Sequence, residues 1–330
     1  MAGGSSPGDA GYSRGVAATD RTVADYRVLT EACGLLDRSE RGKLALVGAG
    51  AKEFLEGQVT NAVEALDSGQ GAYAAFLTPK GKMLGDLRVL DLGDELFLDT
   101  ERSALQELFN MIRRYRIGYD VELHKRTVER GLLSLIGPEA RAVAGAEDLP
   151  VQEHANAHGE LDGTDVRFVV TDAGIDLICD AADTDALAAW LRGRGAVDVD
   201  EVAAEVLRVE AGRPRYGIDL DDTVIPQEAG LNERAVSFTK GCYVGQETVA
   251  RLHYRGKPNR HLRGLRLSAP AAHGDELRLG ERVVGTIGTS VVSPRLGPVA
   301  LAIVRREAEP GATVTVGTGE TTAEVAALPF

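Results

Sequence analysis

Along the chain the spacing of apolar residues changes period several times, and each change predicts a change of secondary structure. Regular structure is expected from about Val23, where Val28, Leu29, Ala32 and Cys33 recur at helical spacing and Gly34 supplies a C-terminal cap. The alternating run Lys43 to Val47 reads as a short strand, broken by Gly48-Ala49-Gly50. From Ala51 onward, Phe54, Leu55, Val59, Ala62, Val63 and Leu66 follow the three-four repeat of a helix with one buried face, ending near Gly69. Residues 72–98 read as an antiparallel meander of three strands, Ala72 to Leu77, Met83 to Leu90 and Glu95 to Leu98. Thr78-Pro79-Lys80-Gly81 and Leu92-Gly93-Asp94 supply the turns. Leu105, Leu108, Phe109 and Ile112 mark a further amphipathic helix. It closes on Arg113, Arg114 and Arg116, cations that suit either the helix dipole or an anion. Val121 to Lys125 adds a strand.

The same grammar repeats in residues 131–211. Leu132 to Ile136, Val166 to Val170 and Ile175 to Cys179 read as strands. Thr184 to Gly193 reads as a helix burying Leu187, Trp190 and Leu191, and Glu201 to Ala211 as one burying Val202, Val206 and Val209. Strands paired around helices, without regular βαβ alternation, predict an α+β region of ferredoxin-like units. From Lys257 the texture becomes short β-rich runs between Gly and Pro turns, as in a small barrel or sandwich. The expected organisation is a flexible tail over 1–20, an α+β region of two or more subdomains over 21–256, and a β domain over 257–330.

Composition narrows the function classes. A hydrophobic fraction of 44% and a charged fraction of 26% are those of a globular protein and exclude disorder of the whole chain. A formal charge of −13 argues against electrostatic binding to a phosphate backbone, so no direct nucleic-acid partner is expected. No run approaches the roughly 18 apolar residues that span a bilayer, and the N-terminus has no apolar signal core, so neither membrane insertion nor secretion is expected. Cys33, Cys179 and Cys242 are odd in number, far apart and outside any CxxC or zinc spacing, which predicts a reducing, cytoplasmic setting and no stably bound metal. Neither a strand-to-helix GxGxxG nor a Walker sequence occurs.

The densest chemistry lies in Lys240-Gly241-Cys242-Tyr243-Val244-Gly245-Gln246-Glu247. Gly241 leaves the sulfur uncovered and Gly245 permits a turn into a helix, with Glu247 in its first turn. A helix N-terminus and Lys240 two residues away both favour thiolate, whereas Glu247 opposes them. A buried small hydrophobe is the alternative reading of Cys242, as it is the preferred one for Cys33 and Cys179. Asp86 is either a solvated strand carboxylate or a hydrogen-bonding group, and Asn61, placed in a helix, is either a surface residue or a ligand contact. Glu210 and Tyr216 sit in an Arg- and Gly-rich turn that reads as a packed corner. His253 is a candidate partner for Cys242, and Asp219, Asp221 and Asp222 read as a solvated acidic turn.

KGCYVGQE resembles the signature of the YgfZ and IBA57 proteins, a folate-binding family of iron-sulfur cluster assembly proteins within the glycine-cleavage T-protein (aminomethyltransferase) superfamily. TPKGKMLGDLRV, RRYRIGYDVEL and RVEAGRPRYGIDLDDTVIPQEAGL are similar to further segments of that superfamily, and together the resemblance covers most of residues 28–256. It implies a ring of α+β subdomains around a tetrahydrofolate pocket, followed by a C-terminal β-barrel. Glu210 matches the glutamate that holds the pterin ring, with Asn61, Tyr216 and Arg251 as further folate contacts. The family hairpin carries two consecutive aspartates where this chain has Gly85 and Asp86, so only one carboxylate remains for a transferase. The implied role is folate-dependent support of iron-sulfur enzymes or their assembly proteins, including enzymes that modify tRNA. Cys242 is its reactive thiol, and Asp86 is the acid-base group of the alternative reading, a one-carbon transferase. A folate-free scaffold is the second alternative. The resemblance also implies that Cys242 stands at the mouth of the pocket.

Overall fold

The computed structural model describes residues 19–330. Apart from Thr19 and Asp20, the expected tail lies outside the described residues. These two are part of a helix start: the Thr19 hydroxyl accepts from the Thr22 N–H at 3.1 Å and opens α1 (Asp20–Glu31), three residues earlier than apolar spacing suggests. Gly34 does not cap this helix but begins β1 (Gly34–Asp37). A Cβ there would stand 2.4 Å from Leu29, so the glycine lets α1 lie directly on the strand.

Two sheets form the α+β region. The first has the order β11-β1-β7-β10-β9-β8, with β7 (Arg130–Ile136), β8 (Asn156–Leu161), β9 (Thr164–Val170), β10 (Gly174–Asp180) and β11 (Val197–Asp198). The second has the order β3-β4-β5-β2-β6, from β2 (Gly42–Val47), β3 (Gly71–Leu77), β4 (Met83–Asp91), β5 (Leu96–Thr100) and β6 (Glu122–Lys125). The meander and its turns are as the alternation predicts. β8, whose AsnAlaHisGlyGluLeu carries little apolar signal, owes its conformation to pairing with β9 instead. The helices here are α2 (Ala51–Glu56), α3 (Leu105–Tyr115), α4 (Ala140–Ala144), α5 (Thr184–Gly193), α6 (Glu201–Glu210), α7 (Asn232–Ala235) and α8 (Gln246–Arg255).

The long helix expected after Ala51 stops at Glu56. Val59 and Val63 are fully buried, but as irregular chain: Val59 bridges Phe76, and the Thr60 hydroxyl accepts from Ala75 N at 2.9 Å while donating to Ala235 O. Burial of alternate apolar residues on a sheet mimics helical spacing over so short a stretch. Val202, expected in the core of α6, is 38% exposed, whereas Val206 and Val209 are buried as expected.

Residues from Arg260 onward close into a six-stranded barrel in the order β12-β15-β14-β13-β16-β17. Its strands are β12 (Arg260–Leu267), β13 (Glu276–Leu279), β14 (Arg282–Ser293), β15 (Gly297–Arg305), β16 (Thr313–Val316) and β17 (Thr322–Ala326). Val206 and Val209 of α6 pack with Leu262, Val291, Val299 and Leu301 of the barrel. Leu90 and Phe97 of the second sheet meet Leu132, Val169 and Ile178 of the first. α6 therefore joins the barrel to the rest, and its C-terminal residue, Glu210, faces the space between them.

Candidate functional site

The sheets, α6 and the end of the barrel surround a cavity of about 910 Å³, large enough for a drug-sized ligand. Nine arginines and seven carboxylates occupy its wall among the described residues, which gives a positive surplus within a chain of charge −13. Most of these charges are paired. Arg88 donates to Asp99 at 2.7 Å and to Asp176 at 2.6 Å, tying the two sheets together, and Arg41 also pairs with Asp99 and Glu101. Burial alone would raise the Asp99 carboxyl, but the two guanidinium groups hold it down to about 2. Arg208 binds Glu205 at 2.8 Å and Asp219 at 2.7 Å. Asp219 also accepts from Arg215 N and Thr289 N, so the supposed solvated acidic turn is anchored on a buried carboxylate; only Asp221 and Asp222 are exposed.

Asp86, on β4, lies in this wall and is 6% exposed, so it is no solvated strand aspartate. Tyr73 on neighbouring β3 donates to its Oδ2 at 2.7 Å. Burial pushes the carboxyl up to about 6; the Tyr73 hydrogen bond opposes the rise and the nearby charge of Glu101 adds to it. A carboxyl in that range exchanges a proton near neutral pH, as general acid-base work requires. At the α6 end stands Glu210, also 6% exposed. Its carboxylate accepts from Tyr26 at 3.0 Å, from Arg295 at 3.0 Å and from Ser293. Tyr216 lines the same cavity. The corner RVEAGRPRYG is thus both packed and part of the site.

The cysteine loop lies elsewhere. None of residues 240–247 is part of the cavity wall, so Cys242 does not share that wall with Asp86 and Glu210. Cys242 is exposed, ahead of α8, whose N-cap Gly245 has φ +85°. Lys240 turns away from the helix start: its side chain is 1% exposed and its Nζ donates to the carbonyls of Glu56, Val59 and Asn61. Burial lowers the affinity of this amine for its proton, and Glu56 at 3.5 Å opposes that. Tyr243 is buried with Ala75, Leu77 and Met83. Gly245 lies against Thr78 O and Gly81 Cα, where a Cβ would come within 2.6 Å and 3.1 Å, so the loop is fastened to the β3–β4 turn. Gln246 is half-buried and Glu247 exposed, while His253 stacks on Phe238 with ring centroids 3.7 Å apart.

Asn61 is neither helical nor in the wall. Its Nδ2 donates to Tyr73 O and Arg234 O, and its Oδ1 accepts from Ala62 N, which leaves it a structural tie between segments. Arg251 is exposed on α8 and also absent from the wall. Sequence reasoning missed Tyr26, Tyr73, Glu101, His154, Arg234 and Arg295. They come from six separate elements or loops and share no spacing, so no local signal announces them.

Comparison with known proteins matches this architecture. The family model for the GCVT N-terminal domain matches residues 10–240, and that for the glycine cleavage T-protein C-terminal barrel domain matches residues 260–330. The chain belongs to the YgfZ group of the glycine-cleavage T-protein superfamily. It is 30% identical over 266 residues to the tRNA-modifying protein YgfZ of Yersinia pestis, covering 78% of this chain and 80% of the relative. An aminomethyltransferase of Rubrobacter xylanophilus is 28% identical over 318 residues, covering 93% and 85%. The crystal structure of the glycine cleavage system aminomethyltransferase T from Bartonella henselae shares the fold, with a TM-score of 0.84 and 24% identity over 93% of this chain and 89% of that one. The resemblance to T-proteins gives Gly85 a particular meaning. A Cβ at Gly85 would stand 2.6 Å from both Ala104 Cβ and the Phe76 ring, so the place of a first hairpin aspartate is filled here by the core.

Proposed function

We propose that the protein binds tetrahydrofolate in the central cavity and acts as an accessory protein in the assembly or repair of iron-sulfur clusters, with Cys242 as its reactive thiol. The observation that carries the folate part is the meeting of Asp86, Glu210 and Tyr216 in one open cavity of about 910 Å³. Glu210 would hold the pterin edge, since a carboxylate accepts from adjacent N–H donors, and Tyr216 would flank it. Its present partners Tyr26, Ser293 and Arg295 keep that carboxylate oriented. Bound folate supplies a carrier for a one-carbon unit. Arg251 and Asn61 are not part of this reading.

The accessory role is supported by the exposure of Cys242 on a loop fixed by Lys240 and Tyr243, away from the cavity wall. A rigidly presented thiol meets a partner protein directly, and a single thiolate holds no stable cluster by itself. A reducing, cytoplasmic setting belongs to this proposal, as do iron-sulfur enzymes or assembly proteins as partners. Among the described residues no helix is long and apolar enough to cross a membrane, and no three His, Cys, Asp or Glu side chains gather into a metal-holding group.

A one-carbon transferase is the second reading, favoured by the proton-exchanging carboxyl of Asp86 in the same cavity as Glu210. Melting with tetrahydrofolate at 100 times its dissociation constant should show about 2.7 kcal/mol of added stability; no shift would favour a folate-free scaffold. Cys242→Ser should abolish support of cluster enzymes in cells at unchanged melting temperature, and full support by that variant would sink the thiol role. Turnover with an aminomethylated carrier protein, lost in Asp86→Ala, would instead establish the transferase.

A further inference from the structure

We propose that the end of the cavity formed by His154, Arg234 and Tyr73 is a subsite for a carboxylate group of a bound ligand. His154 lines the cavity wall at 6% exposure, and both its ring nitrogens are buried without a hydrogen-bond partner. Its backbone is also unusual, with φ +68° at a non-glycine residue, held by its N–H to Val170 O at 2.8 Å. Left-handed backbone and unpaired polar atoms each cost free energy, and their coincidence in a cavity wall marks a ligand-directed residue.

Arg234 stands beside it. The guanidinium lies over the Tyr73 ring at 5.0 Å, its Nη2 pairs with Glu153, and its Nε–H is buried without an acceptor. His154 Nε2 is 3.6 Å from the same Glu153 oxygen, too far for a hydrogen bond. Burial, reinforced by the charges of Arg88 and Arg234, lowers the His154 imidazole to about 3, so the ring is neutral and presents one N–H. The carboxylates that face it from other elements are engaged: Asp176 with Arg88 and Ser134, and Asp172 with Arg213 at 3.0 Å and, at 3.9 Å, with Arg234 Nη2. The His154 N–H and the Arg234 Nε–H both lack an acceptor, and the Arg234 pairs run through Nη2 and leave Nε–H open, so a group that only accepts and carries negative charge completes this end of the wall. A carboxylate does both. Its entry requires the Glu153–Arg234 pair to part, and Glu153, with 30% of its side chain exposed, is free to turn outward.

The carboxylate belongs either to the glutamyl end of tetrahydrofolate, which rests on the folate reading, or to a small amino acid, which does not. Two ligand pairs separate these sources in the full-length chain: tetrahydrofolate against tetrahydropterin, which lacks the benzoylglutamate, and glycine against methylamine. Dissociation constants are measured by calorimetry for wild type, Arg234→Gln and His154→Leu. We expect both variants to weaken the carboxylate-bearing member of one pair tenfold or more and to change its partner less than twofold. Loss confined to the folate pair assigns the subsite to the glutamyl group; loss in the glycine pair assigns it to an amino acid. Equal changes within both pairs, or wild type binding neither tetrahydrofolate nor glycine, would overturn the subsite. Binding of tetrahydropterin without any effect of the variants would overturn it while leaving the folate reading standing. If Arg234→Gln fails to fold, His154→Leu carries the comparison.

Discussion

Replacing Asp86 by Asn should stabilise the protein, and the gain should grow with pH. In the folded chain burial holds the Asp86 carboxyl near 6 rather than its ordinary 3.8. Below about pH 4 the group is protonated whether the chain is folded or not, and it contributes nothing. Between about 4 and 6 the folded state keeps a proton that the unfolded state has released, so each full pH unit upward costs folding about 1.4 kcal/mol. Above about 6 the full penalty is in force, roughly 3 kcal/mol for a displacement of about two pH units. Asn carries no charge at any of these values and still offers an oxygen to the Tyr73 hydroxyl, now 2.7 Å from Oδ2. Urea denaturation of both proteins at half-unit steps from pH 4 to pH 8 reads the difference directly. The variant should gain nothing at pH 4 and about 3 kcal/mol at pH 7 and above. A pH-independent difference, or an advantage of the wild type that grows with pH, would refute the reasoning. It would mean that Arg41 and Tyr73 stabilise the carboxylate more than burial penalises it.

Removing the Tyr73 hydroxyl takes away a hydrogen bond to the charged form, so Tyr73→Phe should move the Asp86 midpoint above about 6, followed by carboxyl carbon NMR; a fall would contradict the assignment. Gly85→Asp restores two adjacent hairpin aspartates but forces a Cβ to within 2.6 Å of Ala104 and Phe76. It should cost about 3 kcal/mol in urea melts and create no transferase activity, and a stable, active variant would show that the core yields there. Lys240→Met strands three carbonyls and the Glu56 carboxylate, and should cost roughly 2–4 kcal/mol; a loss below about 0.5 kcal/mol, as for a surface lysine, would deny Lys240 its anchoring role.

The sequence by itself determined those features that depend on neighbours in the chain. The meander of β3 to β5, the amphipathic α3 and α8, and the barrel strands all follow from spacing and turn residues, because period and turn chemistry are local properties. The burial of Cys33 and Cys179 was legible in the same way, whereas spacing left Cys242 open between burial and exposure, and the fold exposes it. Tertiary structure decided the rest. The segment after Glu56 has helical spacing yet lies irregularly on the second sheet, because Thr60 and Asn61 bond to segments more than ten residues away. Lys240, which the sequence sets beside Cys242, spends its charge on three carbonyls of residues 56–61. Glu210 and Asp86 are 124 positions apart and share one cavity only because α6 bridges the sheets and the barrel. His154 and Arg234 gave no signal at all. A lone histidine or arginine acquires a role only when folding buries it without a partner, and that is a property of the assembled wall rather than of any stretch of chain.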